Sequence, residues 1–178
     1  LYGQVDKEEK DSPLGEEARY KNSKIFYFNG DFELAADLLS VLKSSTSELL
    51  ANDALYLSVF IQDNISNDTF NQAMKEVAMS ELYFFQNRSD EALAILDKLK
   101  KKFPGTSLMD DVLVIEAEDA MRRSLWDKAE KLYSEVFNRH AGSILADKAL
   151  YEWSKLQEQV FKNSQVAIEG YLKLLTKY

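Results

Sequence analysis

Cysteine is absent from the 178 residues, which removes disulfides, zinc–thiolate sites and thiol catalysis from consideration. Proline occurs twice and glycine six times, too little turn punctuation for an all-β protein, so the chain leans helical. No apolar run reaches the length of about 18 residues that a membrane-spanning helix needs. His140 is the only histidine, and a lone histidine without a Ser or Asp partner in a shared motif makes no catalytic triad. Its place at a helix end suits a loop cap. A phosphate loop, a dinucleotide fingerprint, HExxH and a Gly-flanked nucleophile are all missing. No catalytic residue, metal ligand or cofactor is therefore assigned. The sequence opens at Leu1 without an initiator Met or a signal-peptide core, so it reads as a mature protein or an excised fragment.

What is present is an ordinary globular composition: 46% hydrophobic residues, 29% charged residues and a net charge of −8. The acidic balance speaks against a phosphate-binding surface. Residues 1–88 carry 15 acids and 8 bases, whereas residues 89–178 carry 15 acids and 14 bases, so the excess lies in the first half. It reads as a solvated acidic face. The run Lys98-Leu99-Lys100-Lys101-Lys102 falls in the last turn of a helix, where cations complement the dipole. Asp63-Asn64-Ile65-Ser66-Asn67-Asp68 is rich in oxygen but lacks the glycine and distal Glu of a calcium loop. Ending one helix and capping the next is its expected role. Three matches to the glycosylation sequon begin at Asn64, Asn67 and Asn87; such matches are common by chance.

Residues 1–15 are polar and aperiodic, with Pro13 as a breaker, and are expected to form a tail or linker. From Glu16 onward apolar residues recur at helical spacing between short polar breaks. These breaks predict nine helices, near 16–28, 31–43, 46–62, 69–86, 89–102, 106–123, 126–139, 143–160 and 164–177. Connections this short make neighbouring helices antiparallel.

The helices carry an internal repeat. Ala35, Ala92, Ala129 and Ala167 hold the same place in four helix pairs, at spacings of 57, 37 and 38. Ser23, Ser80 and Ala117 stand twelve residues before the first three, and Ser154 thirteen before the fourth. Leu39, Leu96, Tyr133 and Tyr171 follow by four, and Leu42, Leu99, Val136 and Leu174 by seven. Two helices cross closely only where small side chains meet, and larger residues one turn on fill the gap to the next pair. A single pair cannot bury its own apolar face, so pairs must stack.

This pattern resembles the tetratricopeptide family, in which a repeat of about 34 residues carries a small residue in its first helix and an alanine early in its second. The resemblance implies an all-α domain over 16–178, a right-handed α-solenoid of antiparallel pairs near 16–44, 69–104, 106–141 and 143–178. One irregular extra helix near 46–62 breaks the period. Its Leu50-Ala51-Asn52-Asp53-Ala54-Leu55-Tyr56 matches Leu145-Ala146-Asp147-Lys148-Ala149-Leu150-Tyr151, the start of a first helix. The linkers Phe103-Pro104-Gly105-Thr106-Ser107 and His140-Ala141-Gly142-Ser143 resemble those of bacterial envelope repeat proteins. The outer-membrane assembly lipoprotein and the periplasmic partner of the Tol-Pal system are of that kind. That resemblance implies an adaptor role and a periplasmic address.

In this family the concave face is lined by the first helix of each pair. Carried over by position, it comprises Tyr20, Lys24, Tyr27 and Phe28; Val77, Glu81, Phe84 and Phe85; Val114, Glu118, Met121 and Arg122; and Tyr151, Lys155 and Glu158. Tyr27-Phe28 and Phe84-Phe85 recur in register and suggest an aromatic stripe for a peptide or helix. The competing reading is that these rings pack between helices. Acids interleave with the few basic residues, which disfavours a carboxylate clamp. The resemblance thus implies a protein partner, no nucleic acid and no enzyme activity. Two other roles fit: an architectural or oligomerisation spacer within a longer multi-repeat protein, or an accessory helical domain of an enzyme encoded outside this fragment; self-association through an uncapped terminal repeat is a further expectation.

Overall fold

A computed structural model describes residues 1–10, 12–42, 48–65 and 71–178. Ser66–Asp68 of the oxygen-rich segment, with the sequon at Asn67, lie outside the described residues. Every regular element among those described is an α-helix. In chain order they are α1 (Tyr2–Glu8), α2 (Pro13–Asn29), α3 (Phe32–Val41), α4 (Glu48–Asn64), α5 (Gln72–Phe85), α6 (Ser89–Lys102), α7 (Met109–Arg122), α8 (Trp126–Arg139), α9 (Ala146–Gln159) and α10 (Ser164–Lys177). The chain resolves into two compact units, Leu1–Leu99 and Lys100–Tyr178, with the division inside α6.

The small-residue register is the organising feature of the helix pairs. Ala35, Ala92 and Ala129 are wholly buried and Ala167 nearly so, as are their counterparts Ser23, Ser80, Ala117 and Ser154. Each serine satisfies its hydroxyl on its own helix: Ser23 Oγ donates to Tyr20 O, Ser80 Oγ to Val77 O and Ser154 Oγ to Leu150 O, at 2.7–2.8 Å. Serine therefore substitutes for alanine at a dry crossing without an unpaired polar group. Between α9 and α10 the approach is close. A Cβ on Gly170 would collide with the Ser154 side chain.

The turn inside each pair repeats too. Gly30, Asn87, Ser124 and Lys162 all have left-handed backbone, with φ of 82°, 59°, 56° and 56°. Each stands five residues before its alanine. The first three close alike: Asp31 N donates to Phe26 O, Arg88 N to Tyr83 O and Leu125 N to Ala120 O, across five residues. This is the helix-ending geometry that satisfies orphan carbonyls. In the fourth, Asn163 N reaches Gln157 O, across six. That added residue accounts for the thirteen-residue interval between Ser154 and Ala167.

The first unit departs from the expected tail. Tyr2–Glu8 form α1, and Pro13 to Gly15 belong to the opening turn of α2, which packs against α1. Pro13 opens α2 instead of breaking the chain, because its missing N–H and fixed φ suit the first helical position. Ser12 caps the same end, its side chain accepting from Gly15 N at 3.1 Å. The buried Arg19 of α2 holds Asp6 of α1 at 2.6 Å. Gly15 lets the segments touch, since a Cβ there would strike the Glu9 carbonyl oxygen. The extra helix α4 buries Ala54, Leu57, Ser58, Phe60 and Ile61, and packs on α3 and α2, while α5 also packs on α2.

In the second unit, α7 packs on α8, α8 on α9 and α9 on α10. The core gathers Leu113, Ala117, Ala129, Tyr133, Leu145, Ala149, Leu150 and Leu156. Helices α7 and α9 begin three residues later than predicted. Thr106 Oγ1 accepts from Leu108 N at 3.3 Å and Ser143 Oγ accepts from Leu145 N at 2.9 Å. These side chains hold a turn that delays the helix.

Candidate protein-binding surfaces

The two aromatic doublets of the first unit divide unequally: Tyr27 is core and Phe28 half-buried, while Phe84 is core and Phe85 exposed. Tyr27 is only 1% exposed. Its ring packs against Phe28 and Phe32, and edge-on against Phe60. Its hydroxyl donates to Glu81 on α5 at 2.5 Å. Phe84 and Val77 are likewise core residues, whereas Phe85 is 73% exposed. Successive helical residues point about 100° apart, so a doublet cannot present both rings to one partner. Tyr27, Val77 and Phe84 therefore leave the candidate surface as core residues, and Glu81 is held by Tyr27.

What remains half-exposed on α2 is a short polar–aromatic strip. The Lys24 ammonium lies 5.9 Å from the Tyr20 ring centre and 5.5 Å from that of Phe28, one helical turn to either side. Each ring is near enough for cation–π attraction. The Tyr20 phenol is pushed up to about 12 by burial, then by the nearby carboxylates of Asp53 and Glu81. Asp53 belongs to α4, so the extra helix brings acidity to the strip. Nothing in the repeat register pointed to it.

In the second unit Val114 is buried, because it faces the core that holds α8. Met121 is half-buried against the same core. The exposed Arg122 side chain sits 3.4 Å from buried Asp119, a contact along its own helix. Glu118 of α7 accepts from Lys148 of α9 at 2.8 Å. On α9, Tyr151 is 48% exposed, with the Lys155 ammonium 5.2 Å from its ring centre and paired to Glu152 at 3.0 Å. Tyr171 of α10 stands beside it, ring centres 6.3 Å apart, and donates its hydroxyl to Glu158 at 2.9 Å. Loss of solvent and that bond push the Tyr171 phenol up to about 12. Register alone placed Tyr171 inside, with Leu39, Leu96 and Tyr133; it is half-buried instead, with its hydroxyl on Glu158.

Three other positions singled out in the sequence have structural roles. Lys100, from the lysine run, ion-pairs with the buried Glu116 at 2.6 Å, so part of that run anchors α7. His140 is half-buried at the end of α8, its N–H donating to Val136 O and its carbonyl accepting from Ser143 N. Asn64 turns its amide back onto Phe60 O at 2.9 Å. Among the described residues no cluster of three or more His, Asp or Glu could hold a metal ion, and no helix is long and apolar enough to cross a membrane.

Among the expected first-helix positions that are described, lysine–aromatic contacts occur at Tyr20/Lys24/Phe28 and at Tyr151/Lys155, and Phe85 is exposed. Residues 77–106 match the family model of the tetratricopeptide repeat. The matched stretch runs from Val77 in α5 through α6 to Thr106, one helix pair with its left-handed turn at Asn87. No curated protein matches the chain, and no solved structure does.

Proposed function

We propose that this protein is a non-enzymatic interaction scaffold that binds a peptide or helix of a partner protein. Its contacts are the outward side chains on the first helices of its pairs. The observation that carries this reading is the lysine-over-aromatic arrangement recurring on α2 and α9, on helices already fixed by dry small-residue crossings. Rings held in place on a rigid scaffold, half-buried on α2 and more open at Tyr151 on α9, lose little conformational freedom when a partner covers them. Within this reading the setting is a bacterial envelope assembly, on the strength of the linkers after α6 and α8 and their resemblance to envelope repeat proteins.

Affinity capture from the native organism, followed by quantitative mass spectrometry, tests it. The full chain is compared with Phe85→Ser and Tyr151→Ser, both exposed positions whose replacement leaves the core intact. The expected result is a common partner whose recovery falls about tenfold with one or both substitutions, as for an interface hot spot. Identical partner sets from folded variants would contradict it.

A further inference from the structure

Tyr133 holds the place in α8 that Leu39 and Leu96 hold in the first two pairs, and like them it is shut in, 2% exposed against 0%. Leucine fills that place elsewhere, so packing does not account for the hydroxyl. The fourth copy, Tyr171, settles its own hydroxyl on Glu158 at 2.9 Å. Tyr133 does not. Among the described residues no group accepts from its hydroxyl, and the hydroxyl is not sealed from solvent. A buried ring thus carries one polar atom that the fold leaves unused.

The packing of α8 says where that atom lies. Helix α8 meets both α7 and α9, and the Tyr133 ring shares the core with Ala117 of α7 and with Ala149 and Leu150 of α9. Burial, and then the carboxylates of Glu118 on α7 and Glu152 on α9, push its phenol up. The hydroxyl therefore keeps its proton and stays a donor. Both glutamates are paired: Lys148 of α9 donates to Glu118 at 2.8 Å, and Lys155 lies 3.0 Å from Glu152. The charges around the hydroxyl are balanced. An anion placed there meets Glu118 and Glu152, and a cation meets Lys148 and Lys155. A neutral group that both donates and accepts escapes either penalty. It takes the phenol proton in a hydrogen bond and gives its own to a glutamate oxygen. A main-chain amide is such a group. Within a helix the N–H and C=O are bonded internally, so the segment that offers them is extended.

We propose that the Tyr133 hydroxyl, between α7 and α9, holds a main-chain carbonyl of an extended peptide segment of the partner protein. Glu118 or Glu152 accepts the neighbouring N–H, and the exposed Tyr151 ring covers an adjoining side chain. The inference rests on the scaffold reading above and narrows its partner from a peptide or helix to an extended peptide. Tyr133 is then a specificity residue whose hydroxyl serves the ligand and not the fold.

Panning a phage-displayed library of random linear peptides on the full chain supplies the probe, and fluorescence anisotropy of the enriched synthetic peptide measures its affinity. Tyr133→Phe keeps the ring and should weaken binding roughly tenfold, with an unchanged urea midpoint because no bond within the fold is lost. N-methylation of the peptide, one amide at a time, should weaken binding at isolated positions. A helical peptide would lose affinity at every interior position, and that result would overturn the proposal. So would Tyr133→Phe binding as the wild type does, a lowered urea midpoint in that variant, or a library from which no peptide is enriched. Loss of binding in Tyr151→Ser with Tyr133→Phe unaffected strikes only the role of the hydroxyl and leaves the scaffold reading standing. The scaffold reading fails separately, in the affinity capture described above.

Discussion

In the second unit, α7 to α10 follow one another at a nearly constant offset. Left-handed Ser124 and Lys162 are 38 residues apart, and the crossings are made by Ala117, Ala129, Ser154, Ala167 and Gly170. The first unit has the same turn at Gly30 and the same crossing of Ser23 with Ala35, but the next turn comes 57 residues later, at Asn87. An unpaired helix, α4, fills the interval, and α1 is fastened beneath α2. The two units solve one problem differently. Where the period is kept, small residues at each crossing let the helices approach, and contacts such as Lys100–Glu116 and Trp153–Glu130 add to them. Where it is broken, α2 must touch α1, α3, α4 and α5, and one large side chain, Tyr27, joins α2 to three of them.

The comparison can be broken most severely at that hub. Tyr27→Ala should cost about 3–5 kcal/mol by urea denaturation, since a buried ring and its contacts vanish. The largest loss of amide protection should fall in α2 to α5. Tyr27→Phe keeps the packing, and should cost about 1–3 kcal/mol for the lost bond to Glu81. A loss in Tyr27→Ala no greater than in Tyr27→Phe would mean that the ring is no hub.

Next in size are the close approaches. Gly170→Ala forces a Cβ against the Ser154 side chain and should cost about 1–3 kcal/mol, despite the better helix propensity of alanine. Adding Ser154→Ala should restore much of it, because the obstructing hydroxyl is then gone. Gly15→Ala meets backbone at Glu9 and has no such rescue.

Smaller and opposite in sign is the effect of relieving left-handed strain. Ser124→Gly and Lys162→Gly should each raise stability by about 0.5–1 kcal/mol, since only glycine adopts positive φ without a Cβ penalty. The first unit already has glycine at Gly30, where a Cβ would also crowd Lys75, so Gly30→Ala should destabilise.

The gentlest test is alkaline pH. A tyrosine raised in the fold releases its proton first when unfolded, so stability is full below about 10 and declines as pH rises toward about 12. Tyr20→Phe should flatten that decline if burial among Asp53 and Glu81 is its cause. Urea melts on either side of this window report the slope.

The helical class, the four alanines and their small partners were legible in the sequence because crossings depend on residue size at fixed spacing, which a sequence displays directly. The thirteen-residue interval before Ala167 was visible as well, though only the six-residue closure at Asn163 explains it. The polarity of residues 1–15 concealed α1, because Asp6 and Arg19 pair at a distance that no local pattern reveals. The candidate surface was read less well. Periodicity located the Tyr27-Phe28 and Phe84-Phe85 doublets, but which ring faces inward depends on helices that pack from elsewhere in the chain. Val77 and Val114 were apolar at the right register, yet the same register serves the core.

The shared register is tested most directly at its turns. Backbone chemical shifts and one-bond Cα–Hα couplings from solution NMR report the sign of φ. The expected result is positive φ at Gly30, Asn87, Ser124 and Lys162 alike, each five residues before a protected alanine. Negative, helical φ at Asn87, Ser124 or Lys162 would contradict a common turn and with it the repeat that unites the two units.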